Sequence, residues 1–488
     1  MTSRQVPNSA SWLSKPKRIA NNPHPYLSQK VGVIAINSLV KKKTMKIRHL
    51  LCAASLMSSF SLMAQTATDA KSYFSAHLQG DHTSYTQSSR IAWNDVESQR
   101  ATVWEAWCEA NKAFDEDKLP ALRPLINDTL LWPLPAELEP NAVMPYYYGT
   151  KGEKPAKGWP LFLYIHGSGP KTHEWRTGYI LCSRFADAPS LYFIPQIPNE
   201  GSYYRWWQRA KQFAWERLLR QSFVNGDVDA NRVYLFGISE GGYGSQRLAS
   251  FYADYLAAAG PMAGGEIPSD APAENCGHIG FSLLTGANDF MFARDLLTAR
   301  TRELLDSLQR CHPGEYSHYV RLIPGRGHGI DYSPTTPWLS HFTRKPHPTH
   351  FVWEDYPMDG IYRRGFYNIA VHERDTIGGN QRTRYEMTIK DNVINLTVDR
   401  VEYEVIQREP RWNIPIKHNK HYTPATEGRF TLYLAEDMVD LERRVKLIVN
   451  GKRMYSGKLK ADMRHMVNSC ATFFDPERVY ATGIEVKL

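Results

Sequence analysis

The sequence predicts an α/β fold, a mostly parallel sheet with helices on both faces, followed by a β-rich accessory domain of sandwich-like type. Three observations carry the prediction. Between residues 130 and 323 continuous apolar runs alternate with helix-like stretches, the pattern of strands buried on both faces and joined by crossover helices. Several of those runs end in a glycine-bearing loop, as strand ends at the carboxyl edge of such a sheet do. Past residue 350 the apolar residues change to period two, which indicates antiparallel strands with one polar face.

A chain of 488 residues exceeds what one core usually organises. The net charge of +9 hints at an acidic partner, but its distribution removes the hint. Residues 1–64 hold ten Lys and Arg and no Asp or Glu, so the remainder carries a net −1 and nucleic-acid binding is not expected. Lys41-Lys42-Lys43 and Met45-Lys46-Ile47-Arg48 precede an uncharged stretch, Leu50 to Ala64. That layout reads as a signal peptide over 45–64, with 1–44 an untranslated or unstructured leader and the protein secreted or periplasmic. The uncharged run is shorter and richer in serine than the span of about 20 apolar residues a membrane helix needs, so no stable anchor is expected.

The next segment, 65–120, carries apolar positions at helical spacing between 88 and 114, including Val96, Val103, Trp107 and Phe114. It reads as a helix packed on the α/β domain, which is assigned to 121–345. Within that domain, proline-interrupted runs from Leu130 to Tyr148 suggest edge strands. Strands follow at Trp159 to Ile165, Leu191 to Ile194, Arg232 to Phe236, Ile279 to Thr285 and Tyr319 to Ile323, with helices over 203–223, 243–256 and 291–310. In the accessory domain, 350–488, strands are expected around Tyr385, Leu396, Tyr403 and Phe430. Asn450-Gly451 between two apolar runs marks a hairpin, and a helix over 461–473 precedes a last strand, 479–487. Trp353 and Trp412 are candidate stacking residues there, although structural support is the plainer role for this domain.

Gly237-Ile238-Ser239-Glu240-Gly241-Gly242 stands between an apolar run and a helix-like stretch, Tyr243 to Ala259. It reads as a nucleophile elbow, whose glycines leave room for a strained turn that lifts Ser239 Oγ above the sheet. Strand-end loops would bring it to Asp289 of Gly286-Ala287-Asn288-Asp289 and His328 of Gly327-His328-Gly329. A serine hydroxyl needs a base at neutral pH. His328 would take its proton, and Asp289 would hold the imidazole in the required tautomer. Backbone N–H groups of Glu240 and of the Gly167-Ser168 turn would form the oxyanion hole, each donor worth roughly 3 kcal/mol of barrier.

Each assignment has a plainer rival. Ser239 as a turn serine, Asp289 as a helix cap, and His312, His318 or His341 in place of His328 are the alternatives. His166 is expected to anchor its loop, and the Glu240 side chain to touch substrate or a neighbouring cation. The aromatic clusters Tyr146-Tyr147-Tyr148 and Tyr203-Tyr204-Arg205-Trp206-Trp207 either line the cleft or fill the core, with Tyr203, Tyr204, Trp206 and Trp207 taken as substrate contacts. Five cysteines follow the leader: a Cys276 to Cys311 disulfide is one reading, buried free thiols the other. Without a C-x-x-C pair or a His-rich run, no metal is expected.

On His166-Gly167-Ser168-Gly169, on Asp229 to Leu235 running into Gly237 to Gly244, on Gly286 to Asp289 and on Gly327-His328-Gly329, the chain resembles the α/β-hydrolase superfamily. The likeness is to its secreted esterase branch: feruloyl and acetyl xylan esterases, polyhydroxybutyrate-depolymerase-like proteins and prolyl-oligopeptidase-like hydrolases. It covers about residues 130 to 345. It implies a secreted serine hydrolase that cleaves carboxylic esters on a small molecule or polysaccharide through an acyl-enzyme, with no metal or organic cofactor. A serine peptidase of the prolyl-oligopeptidase type is the second reading. A non-catalytic glycan-binding protein on a hydrolase scaffold is the third.

Overall fold

In the computed structural model, residues 70–139, 142–198 and 205–488 are described. The leader and the signal-peptide reading, with Tyr203 and Tyr204, lie outside them. Two helices open the described chain, α1 (Ala70–Leu78) and α2 (Val96–Ala113). The central sheet is built from β1 (Leu130–Pro133), β2 (Val143–Lys151), β3 (Trp159–Ile165), β4 (Ser190–Pro195), β5 (Val228–Ile238), β6 (Ala258–Met262), β7 (Gly280–Gly286) and β8 (His318–Ile323). Its crossovers include α3 (Lys171–Arg184), α4 (Arg209–Val224), α5 (Glu240–Phe251) and α6 (Arg294–Cys311).

The strand order is β1-β2-β4-β3-β5-β6-β7-β8. β2 is antiparallel to both β1 and β4, and every neighbouring pair from β4 to β8 is parallel. β3, β4, β6 and β7 are buried along their whole length, whereas the edge strands β1 and β8 are half exposed. That contrast explains why the central strands read as unbroken apolar runs. One strand departs from the sequence expectation. The helix after Ser239 ends at Phe251, and Ala258-Ala259-Gly260-Pro261-Met262 is strand β6. Its small residues are a packing requirement, since a Cβ on Gly260 would lie 2.5 Å from Thr335 Cγ2.

After α7 (Thr335–Leu339) the β-rich part begins with β9 (His350–Asp355), β10 (Gly365–Phe366), β11 (Ile369–Glu373) and β12 (Thr383–Lys390). It continues through β13 (Val393–Glu409), β14 (Ile414–Pro424), β15 (Arg429–Leu434), β16 (Arg444–Val449), β17 (Lys452–Lys458), α8 (Met463–Phe473) and β18 (Thr482–Lys487). One sheet runs β9-β12-β13-β16-β17 with β14 added to β13, the other β10-β11-β15-β18. Trp353 of β9 stacks on Phe366 of β10 (5.3 Å), and Tyr385 of β12 meets Phe430 of β15 edge-on (5.7 Å), so the two sheets face each other. Trp353 is therefore core, 1% exposed, and no stacking platform. The expected strands around Leu396 and Tyr403 are one strand, β13, of 17 residues, and it pairs in parallel with β16. Asn450 (φ 46°) and Gly451 (φ 77°) form the expected tight turn between β16 and β17.

The described residues cluster as one compact unit. The cores of the two parts are continuous, with Leu161 and Leu235 in the same buried cluster as Trp353 and Leu432. α2 packs on α8 through Val103, Trp107, Met466 and Cys470. Where the two parts meet, Arg344, Arg363 and Arg478 surround Asp254 and Asp475, all buried, with Arg478 Nε 2.7 Å from Asp475. Among the described residues no helix is long and apolar enough to cross a membrane.

Candidate active site

Ser239 sits between the last residue of β5 and the first of α5, at φ 58° and ψ −114°. Such a backbone costs of order 1–3 kcal/mol in a residue with a side chain and persists only where its surroundings fix it. Here they do. A Cβ on Gly237 would lie 2.4 Å from the Gly241 carbonyl oxygen, and one on Gly241 2.0 Å from that of Ile165, so only glycine lets the turn close against β3. The Ser239 N–H donates to the Met262 carbonyl at the end of β6 (2.9 Å). The elbow is thus tied to both flanking strands.

The loops after β7 and β8 are joined by backbone hydrogen bonds, Ala287 N–H to the Ile323 carbonyl (2.9 Å) and Asn288 N–H to that of Arg326 (2.8 Å). They bring Asp289 Oδ2 to 2.7 Å from His328 Nδ1, while His328 Nε2 lies 3.0 Å from Ser239 Oγ. The carboxylate accepts from Nδ1–H, which leaves the Nε2 lone pair facing the serine hydroxyl. Asp289 is 4% exposed; the His328 side chain is 47% exposed and open to solvent. Asp289 is no helix cap, because α6 starts at Arg294. The rival histidines are engaged elsewhere: His318 on Asp306, His341 on the Trp338 carbonyl, His312 stacked on His350.

One neighbour of this array has no linear signal. Arg294 Nη1 holds the other carboxylate oxygen of Asp289 at 3.0 Å, and its side chain is 7% exposed. It reaches back across a kink, with Phe292 and Ala293 both left-handed (φ 56° and 57°), a geometry that spacing alone does not announce.

On the other side of Ser239, a Cβ on Gly167 would lie 3.3 Å from Ser239 Cβ, which places the Gly167-Ser168 turn directly against the serine. Glu240 opens α5, so its N–H is among the first four of a helix and has no carbonyl partner within it. His166 supports this turn. Burial pushes it down to about 4, so the ring is neutral; Nε2 accepts from Ile197 N–H (3.0 Å) and Nδ1 faces the Gly167 carbonyl (2.7 Å). Trp206 donates Nε1–H to the His166 carbonyl (2.9 Å) and is fully buried, and Trp207 is buried beneath the Arg247 guanidinium (4.2 Å). Neither faces a cleft, which corrects their assignment as substrate contacts: both rings are consumed in packing behind the elbow. Tyr146, Tyr147 and Tyr148 are likewise core. The Glu240 carboxylate accepts from Arg205 N–H (3.2 Å), and burial pushes it upward. Arg247 pairs with Glu266 and Asp270 under the same helix, and burial raises Glu266 to about 7 despite Arg247.

Away from the array, His312, Glu315 and His350 place three ligand-type atoms within 4.8 Å. Glu315 accepts from His350 Nδ1 with both oxygens (2.9 and 3.0 Å), an ion pair that accounts for the grouping without a metal. Cys276 is buried and Cys311 exposed, and all five described cysteines are free thiols. A cavity of about 780 Å³ lined by Trp93, Asp391, Asp437 and Asp440 contains none of Ser239, Asp289 and His328.

The strand order, the elbow at the end of β5, and an acid and a histidine at the ends of β7 and β8 define the α/β-hydrolase fold. No family model and no curated protein matches the chain. Solved structures similar to it include a thermostable esterase, at 20% identity and TM-score 0.36, with 45% of this chain and 64% of that one covered. Two others are a poly(3-hydroxybutyrate) depolymerase from Bordetella parapertussis (17%, TM-score 0.32, 42% and 85% covered) and a ferulic acid esterase from Anaeromyces mucronatus (12%, TM-score 0.32, 46% and 92% covered). The chain thus spans a little under two thirds of the thermostable esterase.

Proposed function

We propose that the protein is a secreted serine hydrolase that cleaves carboxylic esters, with Ser239 as nucleophile, His328 as general base and acid, and Asp289 as the group that orients and charge-compensates the imidazole. One observation carries the reading: a serine held at φ 58° with its Oγ 3.0 Å from an imidazole whose other nitrogen lies 2.7 Å from a buried carboxylate. In the first half-reaction His328 takes the Ser239 proton as Oγ attacks the ester carbonyl. The oxyanion is received by the N–H of Glu240 and one from the Gly167-Ser168 turn, and the proton then passes to the leaving alcohol. Water, deprotonated by His328, releases the acyl group from Ser239 in the second half.

The exposure of His328 supports an open cleft, which suits an acyl group carried on a large alcohol such as a polysaccharide. Secretion is supported by the basic and uncharged pattern of residues 41–64 alone. Release of p-nitrophenol from its acetate and butyrate esters tests the reading. Turnover by the wild type and loss by orders of magnitude in folded Ser239→Ala and His328→Ala are expected. An inactive wild type on esters that cleaves aminoacyl amides would move the assignment to a peptidase.

A further inference from the structure

The β13–β14 hairpin leaves its sheet. β12 pairs with β13 only over 393–400 and β16 only over 393–396, while the hairpin pairing itself runs on to Glu409 opposite Ile414. From Val401 outward it is a two-stranded ribbon, a form that is marginal unless it rests on something. It rests on the acid side of the candidate active site. Ile416 is buried against Ala293, which precedes α6, and Leu297 of α6, with Ile414 beside it, and the Trp412 ring lies 4.8 Å from that of Phe292. The Glu409 carboxylate accepts from the N–H groups of Trp412 (2.7 Å) and Arg411 (3.1 Å), which fixes the tip that carries the tryptophan.

Phe292 and Ala293 are two consecutive left-handed residues with side chains (φ 56° and 57°), a strained pair that survives only where neighbours impose it. Their turn is what sends Arg294 back to Asp289: the guanidinium lies 5.3 Å from the Phe292 ring, 5.6 Å from that of Tyr243 and 3.0 Å, by Nη1, from Asp289 Oδ1. With Oδ1 held by Arg294, rotation of the carboxylate about its own axis would break that hydrogen bond, and Oδ2 lies 2.7 Å from His328 Nδ1. Contacts therefore run without a gap from Trp412 through Phe292, Arg294 and Asp289 to His328 and Ser239.

We propose that the tip of the β13–β14 hairpin is part of the active-site apparatus, Trp412 and Arg294 being positioning residues that set the orientation of Asp289. The proposal rests on the hydrolase reading above. It assigns the β-rich part a task in the chemistry itself, as the brace that keeps the acid aimed at the histidine.

The test measures p-nitrophenyl acetate kinetics, the rate of fluorophosphonate labelling of Ser239, and thermal stability in Trp412→Ala, Trp412→Phe, Arg294→Lys, Arg294→Met and the Trp412→Ala/Arg294→Met double variant. Trp412→Ala is expected to lower kcat and labelling rate about tenfold with KM nearly unchanged, with Trp412→Phe largely restoring both. Arg294→Met is expected to lose about a hundredfold, and Arg294→Lys less. Because Trp412 acts through Arg294, the double variant should lose no more than Arg294→Met alone. Wild-type labelling in Trp412→Ala overturns the proposal, including when Tm falls, because the tip is then only a structural clamp. If Trp412→Ala does not fold, Arg294→Met carries the test, and a wild-type labelling rate there overturns it equally. A wild type that does not label at Ser239 fails the hydrolase reading, and the proposal falls with it.

Discussion

Gly286 and Gly327 meet backbone to backbone: a Cβ on Gly286 would lie 2.0 Å from the Gly327 carbonyl oxygen. Gly286 ends β7, three residues before Asp289, and Gly327 precedes His328 in the loop after β8, so the separation of acid and histidine is set by how closely two main chains approach. Gly286→Ala is expected to push the loops apart and lower kcat by about a hundredfold, since a displacement near 1 Å at a reacting pair costs on that order. Steady-state kinetics check this, with circular dichroism to establish that the fold persists. Full activity in folded Gly286→Ala would show that the contact is not what spaces the pair.

A second expectation concerns stability against pH. Hydrogen bonding to Glu315, and charge interaction with it and Glu386, raise His350 from 6.5 to about 9, outweighing its burial. A histidine raised on folding stabilises the native state fully below its unfolded value, and that contribution is lost as pH climbs through the folded value. The Tm difference between wild type and His350→Gln should therefore be largest near pH 6 and fade between roughly pH 6.5 and 9. A difference that stays constant up to pH 10 would contradict the pairing.

The seam between the two parts yields a third. Arg478 is fully buried and bridges Asp475, in the C-terminal region, to Asp254, which follows α5. Burial alone would raise Asp475, but Arg344 and Arg478 hold it down at about 2. Without Arg478 both carboxylates keep one partner, Asp475 on Arg344 and Asp254 on Arg363, so Arg478→Met removes charge-assisted hydrogen bonds across the seam without orphaning a charge and is expected to cost about 1–3 kcal/mol in urea unfolding. By the same reasoning a chain ending at residue 345, which strips β9 to β18 from a continuous core, should not fold. Its recovery as a soluble, cooperatively melting protein would show that the catalytic part stands alone.

The site was more legible in the sequence than the β-rich part, for physical reasons. Ser239 and Asp289 follow central strands, β5 and β7, whose buried ends write themselves as apolar runs ending in glycine, and His328 follows the half-exposed edge strand β8, marked by the glycines on either side of the histidine. β6 left no such trace: Ala258 and Ala259 are small and buried and Gly260 has no room for a side chain, so composition favoured helix where packing demanded strand. β13 reads as two strands and β14 leaves no trace because, from Val401 outward, the ribbon exposes much of its surface and loses alternation, as Val405 and Ile406 show. Trp206 and Trp207 misled in the opposite sense, since an aromatic cluster after a strand reads alike whether it faces a cleft or, as here, supports His166 and covers Arg247. Arg294 and the His312–Glu315–His350 grouping depend on a kink and on tertiary pairing, which no local pattern encodes.

The central claim is that Ser239 becomes acylated by an ester. Mass spectrometry of the protein quenched during turnover of p-nitrophenyl acetate tests it most directly. The account predicts one acetyl group, on the peptide carrying Ser239, absent from Ser239→Ala and formed far more slowly in His328→Ala. Ester turnover with no adduct on Ser239, or an adduct that Ser239→Ala retains, would contradict it.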